Sequence, residues 1–240
     1  MNNASLVSVS ALVLALVGCG GSPAPEGPLS TSLLQGIWRS PASAASTTSA
    51  VVLPDGKMWA LVSNASSTRV LKAAFVGQPH GFDGSGKSFV LATTSSNSIS
   101  MTASVVEGSS LSAAIGTGSQ AENFSLAYQA RYASAAQLAD FAVAWQATLW
   151  PGIVNWTLSE TGVLNGTRTT GCTYSGTLSL RAERKAIVDV AVSEDCAGAL
   201  TLLSGIAVKS EDKASINMLL TNKDETAAVA LSLVWPGGQL

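Results

Sequence analysis

Several short motifs in this 240-residue chain have residue types that could do chemistry. Gly81-Phe82-Asp83-Gly84-Ser85-Gly86-Lys87-Ser88 satisfies G-x-x-x-x-G-K-[ST]. At that spacing backbone amides can cradle phosphates while the lysine reaches the β/γ-phosphates and the hydroxyl meets Mg²⁺. The chemistry requires a helix after the loop, because the helix N-terminus holds the phosphate charge. Ser88 instead leads into Phe89-Val90-Leu91-Ala92-Thr93-Thr94, which reads as a strand. The expectation is a glycine-rich hairpin loop with an exposed Lys87 and no nucleotide site. His80, the one histidine, lies in the turn-rich Gly77-Gln78-Pro79-His80-Gly81. A general base needs an orienting group and a nucleophile within reach; Asp83 is near in sequence, but no G-x-S-x-G elbow is present. Glu107, Glu122, Asp140, Asp189, Glu194, Asp195, Glu211, Asp212 and Asp224 are the carboxylates that might pair for glycoside hydrolysis. Most fall at turns, and no pair stands out. Glu194-Asp195 and Glu211-Asp212 would make at most a weak Ca²⁺ site. The reading is therefore no enzyme, with no catalytic, cofactor or metal residues.

Tryptophan is the other chemically distinctive residue. Trp145, Trp150 and Trp156 cluster within a short stretch. Trp145 reads as core. Trp150 precedes Pro151-Gly152, which places it at a turn and makes it the candidate recognition contact, since exposed tryptophan is enriched at binding hot spots. Of the three cysteines, Cys172 and Cys196 lie in the second half of the chain and Cys19 near its start.

These residues are carried by strands. Ile99, Met101, Ala103 and Val105 alternate with Ser98, Ser100, Thr102 and Ser104, and similar alternation runs through Phe124–Tyr128, Val188–Val192, Ile216–Leu220 and Val229–Trp235. A period of two indicates half-buried antiparallel strands. Turn signals recur at Pro54-Asp55-Gly56, Asp83-Gly84-Ser85-Gly86, Glu107-Gly108-Ser109, Thr161-Gly162, Asn165-Gly166, Glu211-Asp212-Lys213 and Asn222-Lys223-Asp224. Such spacing suits a sandwich or barrel. Residues 134–142 are rich in helix formers and read as one short helix. A repeat is visible as well. Trp38 and Trp145 each follow a short lead-in, and each is followed by a turn, at Asp55-Gly56 and Thr161-Gly162 respectively. The expected class is all-β, with two tandem antiparallel barrels at 33–131 and 132–240; one larger barrel or sandwich is the alternative. Trp38, Trp59, Phe75, Phe89, Met101 and Phe124 are expected to fill the first core.

Composition narrows the role. The net charge is −2, only 12% of residues are charged and 47% are hydrophobic. The charged share is about half the usual one. There is no basic excess of the kind nucleic-acid binding needs, and the chain is too apolar for disorder.

The apolar run 6–17 is too short to span a bilayer, which takes about 20 apolar residues, and fits the core of a signal peptide. The segment before it carries no Lys or Arg. Leu16-Val17-Gly18-Cys19 directly after the run resembles the bacterial lipobox. That resemblance implies cleavage after residue 18, a fatty-acylated Cys19 and stable membrane attachment; it leaves Cys172 and Cys196 in an oxidising compartment, where a disulfide between them is expected. Gly20, in place of Asp, favours the outer membrane by the same resemblance. Residues 19–32 would then be the lipidated cysteine and a Gly/Pro/Ser-rich tether.

Gly36-Ile37-Trp38 at the start of a β-rich stretch resembles the lipocalin G-x-W signature, in which the tryptophan plugs one end of an eight-stranded barrel. The second copy has Val143 in place of the glycine. Gly171-Cys172-Thr173-Tyr174-Ser175-Gly176 with Cys196 resembles a pattern in uncharacterised bacterial envelope lipoproteins. Barrels of about eight strands are just wide enough for their own side chains to fill, so packed interiors are expected. The functional expectation is a lipid-anchored outer-envelope protein with a binding or structural role toward a protein, glycan or small apolar ligand. The alternative, implied by the lipocalin resemblance, is a carrier with a cavity lined by Trp59, Phe89, Met101 and Phe124.

Overall fold

The computed structural model describes residues 27–91, 93, 95–116, 118, 121–149 and 151–237. Cys19 and Trp150 lie outside the described residues, as do the apolar run and most of the tether. The strands are β1 (Gly36–Arg39), β2 (Thr47–Val52), β3 (Lys57–Ser63), β4 (Thr68–Gln78), β5 (Gly81–Val90), β6 (Ser95–Val106), β7 (Ser110–Ile115) and β8 (Glu122–Tyr128). There follow β9 (Ala144–Leu149), β10 (Gly152–Leu158), β11 (Val163–Arg168), β12 (Thr173–Leu180), β13 (Ile187–Cys196), β14 (Ala199–Lys209), β15 (Ser215–Asn222) and β16 (Ala228–Val234). Each set of eight forms a closed antiparallel barrel in which sequential strands are neighbours. The first closes through Trp38 opposite Tyr128 and the second through Val234 opposite Gln146. The described residues thus form two tandem barrels.

The repeat extends to individual hydrogen bonds. A 3-10 turn, Thr31–Leu34, precedes the first barrel, and another, Leu138–Phe141, precedes the second. The Trp38 indole N–H donates to the Leu34 carbonyl at 3.0 Å, and that of Trp145 to the Phe141 carbonyl at 2.8 Å. Both rings are fully buried, so each turn and its tryptophan stopper one barrel end. The Leu29 and Ala136 amides dock these lead-ins onto the Gln78 and Lys185 carbonyls at 3.1 and 3.2 Å. Gly56 and Gly162 have φ of +81° and +82°. A Cβ at these positions would meet the Phe75 and Leu178 carbonyl oxygens at 2.7 and 2.2 Å. Handedness and close approach together require glycine at both turns.

Parity decides what fills each barrel. Met58, Ala60 and Val62 from β3, Leu71, Ala73 and Phe75 from β4, and Met101 and Ala103 from β6 face the first interior. Val154, Trp156 and Leu158 from β10, with Val188, Val190 and Val192 from β13, fill the second. Trp59 and Phe89 do not belong to the first core. They point outward into a third cluster, with Ile37, Val51 and Val70, against Ile187, Ile206 and Val208 of the second barrel. The two barrels therefore share a buried seam, to which Tyr132 of the connection also contributes.

Three local expectations change. Asp83-Gly84-Ser85-Gly86 is mid-strand in β5, and Asn165-Gly166 lies within β11. A Cβ at Gly84 would fall 2.7 Å from the Phe75 ring, and one at Gly166 would fall 2.2 Å from Trp156 Cδ1. These glycines make room for inward-facing rings rather than for turns. Residues 134–142 hold only the 3-10 turn Leu138–Phe141, and a second such turn, Ala130–Ala133, precedes it.

Candidate functional site

The glycine-rich motif is strand throughout, so it has no loop facing a helix N-terminus. Ser88 faces the barrel interior and is buried. Lys87 faces outward, and its Nζ donates to the Glu225 carbonyl at 2.9 Å. The expected exposed loop lysine is instead part of the seam. His80 sits exposed at the β4–β5 turn.

The carboxylates are distributed among separate partners. Glu122 lies at the β8 end and pairs with Arg69 of β4, which reaches it across the mouth of the first barrel opposite the tryptophan plug. Glu194 accepts from the Tyr174 hydroxyl at 2.6 Å and lies 3.9 Å from Arg168, at the mouth of the second barrel. Burial, then the hydrogen bond given to Glu194, raises the Tyr174 phenol well above its ordinary range. Asp195 is the next residue on the same strand and faces the other way, accepting from the Gly198 amide at 2.8 Å. Strand alternation thus turns Glu194 and Asp195 to opposite faces of the sheet. Asp212 is bound within its own turn by Ser210 and by the Ala214 amide. Asp189 pairs with Arg181, and Asp140 with Lys213.

Cys172 and Cys196 form a disulfide between the start of β12 and the end of β13, where Thr173 already pairs with Asp195. Glu194 lies close to both sulfurs, but they are bonded to each other and are not thiolate ligands. Trp145 and Trp156 pair across β9 and β10 inside the second barrel; Trp156 packs edge-on to Tyr174 with ring centroids 5.4 Å apart.

Cavities accumulate along the seam. One, of about 610 Å³, is bordered by Trp59, Lys72 and Arg181. Its cations are compensated. Lys72 Nζ donates to Glu225 Oε1 at 2.6 Å and lies 4.7 Å from the centre of the Trp59 ring. Arg181 is bound by Glu183 and Asp189. A second cleft, of about 380 Å³, has a floor of outward-facing apolar side chains, Ile37, Val51 and Leu61 from one barrel and Ile206, Val208 and Leu219 from the other. Arg39 and Arg131 stand on its border. Arg131 Nη1 donates to the Lys209 carbonyl at 3.2 Å. Its burial, and then the nearby Arg39 charge, hold that guanidinium below its ordinary range, while Glu211 acts in the opposite direction. Among the described residues neither arginine has a carboxylate within ion-pair distance.

Sequence reasoning did not find this cleft, although a signal existed. Ala50-Val51-Val52-Leu53, Met58-Trp59-Ala60, Val70-Leu71 and Ile206-Ala207-Val208 are unbroken buried apolar runs within the strand pattern. Such runs mark strands covered on both faces, here by the barrel on one side and the seam on the other. Comparison with protein-family models, with curated proteins and with solved structures finds no match for this chain.

Proposed function

We propose that this chain is a lipid-anchored protein of the bacterial outer envelope, attached through Cys19, with a binding role and no chemistry of its own. In this reading the paired barrels are a rigid body and the ligand site is the cleft between them. The observation that carries the reading is the 380 Å³ cleft, whose floor is built from outward-facing apolar side chains of both barrels. Its volume is in the range of small-molecule sites, and domain interfaces are a preferred place for them. The barrel interiors favour this location over a calyx, because inward positions are occupied by contiguous buried side chains and Trp38 and Trp145 close one end of each. Of the residues expected to line a carrier's cavity, Met101 and Phe124 pack in the first core, while Trp59 and Phe89 pack in the seam.

Two measurements test the proposal. Fractionation of cells making Cys19→Ala should find the protein released from membranes; retention would remove the anchor. Native mass spectrometry of the protein extracted from its own host should show an added small mass that disappears on organic extraction. It should also be absent from Ser232→Trp, which places an indole at the cleft border. A protein carrying nothing, or an added mass indifferent to Ser232→Trp, would remove the cleft as the binding site.

A further inference from the structure

We infer that the cleft between the barrels takes a single-chain fatty acid, with the alkyl chain on the apolar floor and the carboxylate between Arg39 and Arg131. The inference rests on the cleft being the binding site and adds the chemical class of its occupant. Three observations lead to it.

The first is an asymmetry between the two seam cavities. The larger one gathers Lys57, Lys72 and Arg181, and each has an acidic partner in Asp55, Glu225, or Glu183 with Asp189. The smaller one has Arg39 and Arg131 at its border and no Asp or Glu in its lining. Glu211 acts on Arg131 from outside this cleft, but with no carboxylate in the lining the two adjacent arginines form a local positive excess that an anion would neutralise. A guanidinium presents a planar fork of donors that matches a carboxylate.

The second is the division of the lining. Besides the arginines, its polar members are uncharged: Ser49, Thr68, Asn217 and Ser232. All other lining residues are apolar. An apolar trough bordered by cationic and neutral donors is complementary to an amphiphile with an acidic head. It is poorly matched to a sugar, which needs polar groups along its length, or to a cationic ligand, which the arginines repel.

The third is size. About 380 Å³ suits one alkyl chain of medium length and is too small for the paired chains of a membrane phospholipid. Size therefore selects a single-chain acid over a two-chain bilayer lipid.

The test uses the full chain in membranes of cells producing it, with dodecanoic acid carrying a diazirine at the chain end as photoprobe. After irradiation, labelled peptides are mapped by mass spectrometry. Label should fall on the seam strands, around Leu61 and Leu219. Unlabelled dodecanoate should suppress it at about one-tenth the concentration of dodecanol that is needed, since a hydrogen bond to a charged group is worth roughly tenfold or more. Arg39→Gln, at an exposed position, should bring the two competitors close to parity, and Arg131→Gln should act in the same direction. Label on the seam with equal competition by dodecanol overturns the carboxylate assignment and leaves the cleft as a site for neutral apolar molecules. Label that avoids the seam, or persists there in Ser232→Trp, overturns both the assignment and the cleft.

Discussion

At the scale of single residues, the barrels are built by placing aromatic rings where the neighbouring strand has no side chain. Gly166 gives Trp156 its place, and an added Cβ would lie 2.2 Å from Cδ1 and 2.6 Å from the Asn155 carbonyl oxygen. Because that ring is fully buried, it cannot swing aside into solvent. Gly166→Ala should therefore destabilise the protein by about 1–3 kcal/mol, the usual cost of overpacking. Gly27→Ala, where nothing lies within 4 Å, should be neutral in the same denaturant titration. Tyr132 carries a second residue-scale prediction. Its hydroxyl donates to Gln35 Oε1 at 3.1 Å, and burial, followed by the charge of Glu183, pushes its pKa up to about 12. The phenol of an unfolded chain titrates near 10. Between those values the folded form holds a proton that the unfolded form has lost, so stability falls as pH rises. The contribution is fully present below about pH 10 and is lost toward about pH 12. Tyr132→Phe should flatten part of the alkaline fall in unfolding free energy. The remainder belongs in part to Tyr174, whose phenol is also raised by burial and by its bond to Glu194.

At the scale of elements, the disulfide joins β12 to β13 across a sequence separation of 24. These strands already form a ladder from Thr173–Asp195 to Leu180–Val188, so the bond adds little new native contact. Its stabilisation comes chiefly from restricting the unfolded chain, and a loop of that length is worth about 3–4 kcal/mol in the chain-entropy account. Cys172→Ala/Cys196→Ala should lose about that much in a denaturant titration while the strand signature in circular dichroism is retained. Strand positions were readable from the sequence wherever one face is wet, as along Ile99–Val105, because serine and threonine mark the outer face. Legibility failed where a residue does a different job from its usual one. Glycine in β5 and β11 serves packing rather than turning. Trp59 and Phe89 are large and apolar, which suggests a core, but their parity assigns them to the outside of the barrel. The disulfide was readable because the lipobox resemblance sets Cys19 aside, and the two cysteines left admit one pairing. Arg39 and Arg131 carry no motif and meet only through the fold, so nothing local in the sequence announces them.

At the scale of the whole molecule, the question is whether two barrels behave as one body. Their seam buries Trp59, Phe89 and Val70 against Ile187, Ile206 and Val208. Lys72 reaches across it to Glu225 at 2.6 Å and Thr221 at 3.3 Å. From the connection, Arg131 and Tyr132 bond to opposite sides: Arg131 to Lys209, Tyr132 to Gln35. Apolar burial dominates this list, since a partly exposed ion pair contributes at most about 1 kcal/mol, whereas truncating a buried phenylalanine to alanine costs about 3–5 kcal/mol. Phe89 touches the seam and not the first barrel's interior, so Phe89→Ala should weaken the coupling between barrels more than the closure of either one. The expected result is that a single thermal unfolding transition becomes two, resolved by scanning calorimetry. Lys72→Met should leave the single transition nearly in place. If Phe89→Ala lowers one transition without splitting it, the barrels fold as one cooperative unit. In that case the cleft between them is held by the fold itself, and an occupant would stabilise both barrels together.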